Sequence, residues 1–174
     1  FFNHLEYIAS LAAQIKPFVE KGYDKLLFSY RGLPERHMRK DDVRLAAGQA
    51  DFQLPSINYQ KQAFETSRLV AALLEIPKEK YETSFQSRLT SAGKEWLKPY
   101  TVVRLEELPK EGIKKLLVVC PAFINDCLET IEEIGMQGKV LVDASGRENL
   151  TLIPCINDQE QFSATVLKWA VAGQ

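Results

Sequence analysis

The sequence has no long apolar run, no excess of charge of either sign and few cysteines. Its apolar stretches are short, such as residues 116–120, whereas crossing a bilayer takes roughly 20 apolar residues. The 22 basic and 23 acidic residues leave a net charge of −1. That balance offers neither a basic footprint for nucleic acid nor a polybasic membrane patch. We therefore expect no nucleic-acid partner and no transmembrane segment.

The cysteines are Cys120, Cys127 and Cys155, an odd number without paired spacing. This pattern argues against a disulfide framework and fits a reducing compartment, so we expect the cytoplasm. No Cys-x-x-Cys lies near them, and we expect neither a zinc site nor an iron–sulfur cluster. The sequence also lacks GxSxG, P-loop and GxGxxG motifs, which leaves nucleotide-binding and acyl-transfer functions without support.

Helix-like and strand-like segments alternate along the chain. Short apolar runs bounded by turn residues predict buried strands at 25–30, 81–87, 114–120, 139–144 and 150–154. Apolar residues at helical spacing predict helices at 5–22, 58–75, 101–110, 125–135 and 158–172. The polar stretch 31–56 is predicted to be an irregular loop.

This alternation predicts an α/β fold of three layers, in which one parallel sheet is covered by helices on both faces. We expect a single domain over residues 1–174, because no repeat, low-complexity tract or internal linker interrupts the pattern. Ligands of such sheets bind outside the carboxyl ends of the strands. In this chain the predicted ends are 29–34, 86–96, 120–126 and 143–146.

The predicted helix 125–135 carries carboxylates at helical spacing. Glu129 and Glu133 are four residues apart, and Asp126 lies three residues before Glu129. Such a group near a helix N-terminus could bind a divalent cation or relay protons. It could equally be a solvated acidic face that complements the helix dipole. Leu128, Ile131 and Ile134 are predicted to face the core.

Two loops at strand ends hold further candidates. In the loop 87–99, Trp96 lies near Arg88, Lys94 and Lys98, so it could stack on a flat acidic ligand or pack against its own chain. After the first strand, Gly32 allows a tight turn. Arg31 would project there, where an anionic ligand could meet it.

The order of motifs resembles the ferrochelatase family over nearly the whole chain. The segments that carry the resemblance are FSYRGLPERHMRK, FQSRLT followed by WLKPYT, VVCPAFINDCLETIEEIG and LIPCIND. The resemblance is to the second, C-terminal, half of that two-half enzyme. It implies a Rossmann-like chelatase fold and a lyase of haem biosynthesis that inserts ferrous iron into protoporphyrin IX. Fe²⁺ and protoporphyrin IX are then substrates, and no tightly bound cofactor is expected.

The resemblance also implies which residues form the site. In the family a His at a strand end and a Glu of the D-x-L-E-T helix face each other across the porphyrin, and that Glu matches Glu129. Glu133, one turn on, would join Glu129 in handling the metal, with Asp126 as a third candidate ligand. The porphyrin contacts implied in the same way are Gln86, Ser87, Trp96 and Tyr30.

The chain departs from the family pattern at its most reactive position. The family's S-x-H-G-x-P is Ser29-Tyr30-Arg31-Gly32-Leu33-Pro34 here, so Arg31 occupies the His position. An arginine stays protonated and cannot accept a pyrrole proton or ligate Fe²⁺, so we expect Arg31 to be non-functional in that role.

The half that supplies the other wall of the porphyrin cleft is also missing from the sequence. A complete enzyme would therefore need that N-terminal half, or a second copy of this chain that rebuilds the cleft by symmetry. The alternative is a catalytically silent chelatase-fold domain, which would be a fragment, an engineered or designed variant, or a module that binds porphyrin or metal. By itself the chain is expected to be inactive or very weak.

Overall fold

A computed structural model describes residues 2–47, 57–87, 95–144 and 149–172. Helices and strands alternate along these residues. In chain order they are α1 (Leu5–Val19), β1 (Lys25–Arg31), α2 (Glu35–Ala46), α3 (Tyr59–Leu73), a 3-10 turn (Lys78–Lys80), β2 (Tyr81–Gln86), α4 (Thr101–Glu107), β3 (Leu116–Val119), α5 (Leu128–Thr130), a π-helical stretch (Ile131–Gly138), α6 (Lys139–Ala144), β4 (Leu150–Leu152) and α7 (Glu160–Ala172).

The strands form one parallel sheet in the order β2-β1-β3-β4. Helices cover both of its faces, so the predicted three-layer α/β fold is confirmed. β1 lies inside the sheet and is buried along most of its length, as its apolar sequence predicts. In the pairing of β1 with β2, Arg31 is the partner of Gln86, so the two strands end side by side.

Successive side chains of β1 point to opposite faces of the sheet. Leu26, Phe28 and Tyr30 belong to a core shared with α1, α3 and α7. Leu27 belongs to the other core, which includes residues of α4, the π-helical stretch and α6. By the same alternation Arg31 falls on the second face, where the helical segment 128–144 lies.

The strand predicted at 139–144 is wrong, because these residues form α6 and the sheet has no strand there. Two valines and a leucine gave the segment a strand-like composition. Its burial is one-sided, however, with Val142 buried and Val140 exposed. Lys139 and Asp143 also pair at helical spacing, 3.2 Å apart. The predicted strand end at 143–146 therefore does not exist, and residues 145–148 lie outside the described structure.

The prediction of an irregular loop over 31–56 is also wrong in part, because α2 occupies Glu35–Ala46. Eight of its twelve residues are charged or polar, and Met38 is its buried residue. A helix that buries so little has no apolar stripe for a periodicity argument to detect. Residues 48–56 lie outside the described structure.

The helix predicted at 125–135 begins at Leu128 and passes into a π-helical stretch. Ile134 is buried, as predicted, whereas Leu128 is 74% exposed and Ile131 is 51% exposed. The wider turn of a π-helix moves Ile131 and Ile134, three residues apart, off a common face, so Ile131 points outward while Ile134 is buried. In the described part of the chain, no helix is both long and apolar enough to cross a membrane.

Candidate functional site

A cleft of about 510 Å³ opens where β1 and β2 end against the helical segment 128–144. This is the edge of the sheet at which a parallel α/β fold places its ligands. The charged side chains among the described lining residues are Arg31, Glu129, Glu132 and Glu133. Carboxylates outnumber the basic group, so the cleft attracts cations more than anions.

Arg31 and Glu129 form an ion pair inside this cleft. The Arg31 Nη1 atom donates to Glu129 Oε1 at 2.7 Å, and each side chain is 39% exposed. The main chain of Arg31 is fixed as well, because the Tyr59 hydroxyl donates to its carbonyl oxygen at 3.0 Å. The position that the sequence assigned to a missing histidine thus lies directly beside the predicted catalytic glutamate.

The pKa of Glu129 is lowered from its ordinary value. The largest cause is a hydrogen bond from its own backbone N–H, followed by the Cys127 side chain and then by Arg31. All three favour the charged carboxylate. Glu129 is therefore ionised, and its cationic partner is a group that cannot give up a proton.

Gln86 connects Glu129 to the sheet through a buried polar network. Its Nε2 donates to the backbone oxygen of Glu129 at 2.5 Å. Its Oε1 accepts from the Ser29 hydroxyl at 2.6 Å and from the Cys120 thiol at 3.3 Å. Thr101 at the start of α4 extends the network to Ser29 at 2.8 Å. This network fixes the start of the helical segment against the ends of three strands.

Ser87 holds the other glutamate. Its backbone N–H donates to Glu133 Oε1 at 2.7 Å, and its hydroxyl donates to Glu133 Oε2 at 2.6 Å. Glu129 and Glu133 thus contact two different anchors at the strand ends. Both glutamates line the same cleft, although each carboxylate has its own partner.

The hydrogen-bond partners of the Asp126 carboxylate do not include either glutamate. Its Oδ2 accepts from Asn157 Nδ2 at 2.8 Å, and its Oδ1 accepts from the Cys155 N–H and the Thr130 hydroxyl, each at 3.2 Å. Partial burial alone would raise the pKa of Asp126, but these hydrogen bonds together lower it. Among the described residues, no group of three or more His, Cys, Asp or Glu side chains is arranged to hold a metal ion.

Trp96 packs against the loop that follows β1. It is 7% exposed, and its backbone forms a bridge with Pro34. Gly32 permits the close approach of this loop to the end of β2, since an added Cβ there would lie 2.7 Å from the Gln86 backbone oxygen, whereas the Trp96 ring would be in ordinary contact at 3.6 Å. The Trp96 Nε1 atom has no hydrogen-bond partner in the described part of the chain. Of the basic residues predicted beside it, Arg88 and Lys94 lie outside that part, and Lys98 is exposed.

Tyr30 lies on the opposite face of the sheet from the cleft. Its hydroxyl is 3.0 Å from Ser67 Oγ on α3, and burial raises its pKa well above the ordinary value. The structure therefore brings five predicted site residues to the cleft and places Tyr30, Trp96 and Asp126 elsewhere. The five are Arg31, Gln86, Ser87, Glu129 and Glu133.

Ser29, Ser84 and Thr101 were not among the predicted site residues. Their hydroxyls belong to the hydrogen-bond network that includes Gln86. Ser84 and Thr101 are 2.8 Å apart through their side-chain oxygens. A signal was present in β2, where Ser84 and Gln86 alternate with Phe85 as polar residues of one face. Polar residues on a buried strand face need partners, which marks them as members of a network.

Residues 1–172 match the family model described as ferrochelatase. The chain belongs to the ferrochelatase family. The resemblance inferred from its motifs is thereby confirmed, and the four-stranded parallel sheet is consistent with the family's fold.

Sequence identity to curated ferrochelatases supports the same conclusion. The chain is 44% identical over 171 residues to a ferrochelatase of Pseudomonas putida and 44% identical over 173 residues to one of Pseudomonas entomophila. It is 41% identical over 179 residues to a ferrochelatase of Pseudomonas fluorescens biotype C. These matches cover 93%, 93% and 99% of this chain but 50% of each relative. The chain thus spans about half the length of these curated relatives, the C-terminal half.

Proposed function

We propose that this chain forms one wall of a porphyrin cleft and that a complete two-half protein inserts ferrous iron into protoporphyrin IX, releasing protohaem and the pyrrole protons. The observation that supports this most is the position of Glu129 and Glu133. Both family-matched carboxylates lie in one cleft at the carboxyl ends of β1 and β2. That edge is where a sheet of this type binds its ligand.

Glu129 is the candidate acceptor of a pyrrole proton. Its lowered pKa keeps it in the basic form, and its half-exposed carboxylate faces the cleft. Glu133 lies one turn further along the helical segment and would hand the cation inward. Its carboxylate, together with Glu132, gives the cleft the negative charge that attracts Fe²⁺.

The Arg31–Glu129 ion pair favours a second candidate, a catalytically silent domain that binds porphyrin or metal without turnover. Arg31 places a permanent positive charge 2.7 Å from the glutamate oxygen. This charge repels an incoming cation and offers no lone pair to the metal. The two candidates differ in one measurable property, which is turnover by the two-half protein.

The partner in the proposal is the half that this chain does not contain. Apolar side chains along the helical segment 128–144 support the need for one, since they are exposed to solvent. They are Leu128, Ile131, Met136 and Val140. An exposed apolar face of this kind marks an interaction surface. A second copy of the chain is the other partner that could cover it.

The proposal also places the reaction in the cytoplasm. Cys120, Cys127 and Cys155 are all free thiols. Free cysteines without a disulfide partner suit a reducing compartment. This location remains a proposal that rests on cysteine chemistry.

A reconstitution experiment tests the proposal. The chain is coexpressed with the N-terminal half of the Pseudomonas putida relative, and Fe²⁺ insertion into protoporphyrin IX is followed anaerobically by haem absorbance. We expect turnover, and we expect Glu129→Gln to lower its rate by on the order of 10²-fold or more, because a positioned proton acceptor contributes that much.

Glu106→Gln serves as the matched control, because Glu106 is an exposed residue of α4 that does not line the cleft. Its rate should equal that of the unsubstituted protein. A folded two-half protein that quenches porphyrin fluorescence on binding but never forms haem would contradict the proposal. That result would support the silent binding domain instead.

A further inference from the structure

Ser87 has an unusual backbone for its residue type. It follows directly on β2, and its φ angle is +60°. A non-glycine residue rarely adopts this left-handed conformation, and such residues persist where surrounding contacts demand them. A contact of Ser87 with its surroundings must therefore stabilise this backbone conformation.

The contact is with Glu133. Ser87 directs its two hydrogen-bond donors, the backbone N–H and the hydroxyl, to the two oxygens of that carboxylate at 2.7 and 2.6 Å. Hydrogen bonds to an ionised acceptor are the strong kind, and a two-point contact fixes orientation as well as distance. The Glu133 side chain is thereby held at one place on the cleft wall.

This arrangement leaves Ser87 poorly suited to bind a porphyrin propionate. Serine offers one hydroxyl proton and one backbone N–H. Both are already directed at Glu133. A negatively charged propionate would meet only acceptor lone pairs at this residue, with the Glu133 carboxylate beside them.

Ser87 is also correctly placed to set the spacing of the two glutamates. Arg31 pairs with Gln86 across β1 and β2, so Arg31 and Ser87 lie one residue apart in register at the edge of the sheet. Arg31 holds Glu129, and Ser87 holds Glu133. Each carboxylate thus has its own partner, and each keeps oxygen lone pairs that can accept further bonds.

We infer that Ser87 is a positioning residue, which orients the Glu133 carboxylate toward the cleft so that it can receive a divalent cation. The inference rests on the proposed function and deepens it. It replaces direct porphyrin contact as the role of Ser87. Outer partners of this kind, hydrogen-bonded to a ligating carboxylate, change metal affinity on the order of 10- to 100-fold when removed.

The first test is whether the contact exists in solution. The amide proton of Ser87 is followed by ¹⁵N–¹H NMR in the full chain. We expect the Ser87 amide resonance, compared at one constant pH, to move in Glu133→Gln because its hydrogen-bond acceptor changes. An unchanged Ser87 amide in Glu133→Gln overturns the inference.

The second test is a double-mutant cycle read out by Co²⁺ binding, with the metal alone as the probe. Ser87→Ala and Ser87→Gly both remove the hydroxyl, and the glycine also tolerates the positive φ. Both are expected to weaken Co²⁺ binding on the order of tenfold. In the Glu133→Gln background, Ser87→Ala should have no further effect, because the residue acts through Glu133.

Ser163→Ala is the matched control, since Ser163 is an exposed residue of α7 that does not line the cleft. It should leave the Co²⁺ affinity unchanged. If Ser87→Ala has no effect on a chain that binds Co²⁺, or has the same effect with and without Glu133, the inference is overturned while the proposed function stands. If the chain binds no Co²⁺ although its Ser87 amide responds to Glu133→Gln, the proposed function fails and the cation role of Ser87 fails with it.

Discussion

Arg31 changes the chemistry at the end of β1 more than any other residue of the cleft. A histidine there could take up a proton near neutral pH, whereas the guanidinium cannot. Arg31 also forms an ion pair with Glu129 at 2.7 Å, which adds to the hydrogen bonds from the Glu129 N–H and the Cys127 side chain that lower the pKa of this carboxyl. Compared with a histidine, Arg31 therefore offers no proton acceptor at this position and gives Glu129 a permanent cationic partner.

We expect Arg31→His to raise the metal-insertion rate of the two-half protein by about tenfold or more, because it releases Glu129 and adds a titratable base. The rate is measured with Zn²⁺ and protoporphyrin IX by fluorescence. Arg36→His on the exposed face of α2 is the matched control and should leave the rate as it was. An unchanged rate in Arg31→His would show that Arg31 does not limit turnover.

At the scale of elements, the start of the helical segment 128–144 depends on a clamp between two loops. The Asp126 N–H donates to Asn157 Oδ1 at 2.9 Å, and Asn157 Nδ2 donates back to Asp126 Oδ2 at 2.8 Å. This reciprocal pair ties the loop after β3 to the loop before α7. The role of Asp126 in this structure is to support the segment that carries Glu129 and Glu133.

Asp126→Asn is expected to lower the free energy of unfolding near neutral pH by about 1–3 kcal/mol. The new side-chain amide would place an N–H donor opposite a donor that now bonds to the carboxylate, and in this partly buried position both would lack an acceptor. The pKa of Asp126 is lowered in the folded state. Its stabilising contribution is therefore present above the unfolded-state pKa of about 3.9 and is lost as the pH falls through the folded-state value. The difference between the two proteins should shrink in acid.

Urea denaturation over a range of pH measures this difference. Asp158→Asn, an exposed aspartate in the same loop as Asn157, is the control and should follow the unsubstituted chain at every pH. A difference between wild type and Asp126→Asn that stays constant into the acidic range would show that the carboxylate charge is not what the clamp uses.

At the scale of the whole molecule, the cleft is the proposed wall of a porphyrin site. The chain spans about half of the ferrochelatases it matches. The cleft is lined from one side by the strand ends and the helical segment, and several apolar residues around it are exposed. A porphyrin bound there would keep one face in water.

We therefore expect the chain by itself to show no turnover of Fe²⁺ or Zn²⁺ with protoporphyrin IX in a steady-state assay. Size-exclusion chromatography with light scattering, run on the same sample, tells a monomer from a symmetric dimer. Clear turnover by a monomer would contradict the expectation. Turnover by a dimer would instead show that a second copy supplies the other wall.

Much of the fold follows from the sequence because strands buried on both faces and amphipathic helices leave a strong local pattern. β1, β2, β3, α1 and α3 were predicted close to their observed bounds. The errors fell where the local pattern and the packing disagree. α2 is a helix that buries little more than Met38. α6 is a helix although its sequence is rich in residues that favour strands.

The sequence by itself determined the family, the parallel α/β fold and the presence of Arg31, Glu129 and Glu133 at one edge of the sheet. Only the tertiary structure decided which groups touch. Arg31 pairs with Glu129, Ser87 holds Glu133, and Asp126 turns away. The physical reason is that these partners are separated by tens of residues along the chain. Strand register and a π-helical turn set their contacts, and neither is visible in local spacing.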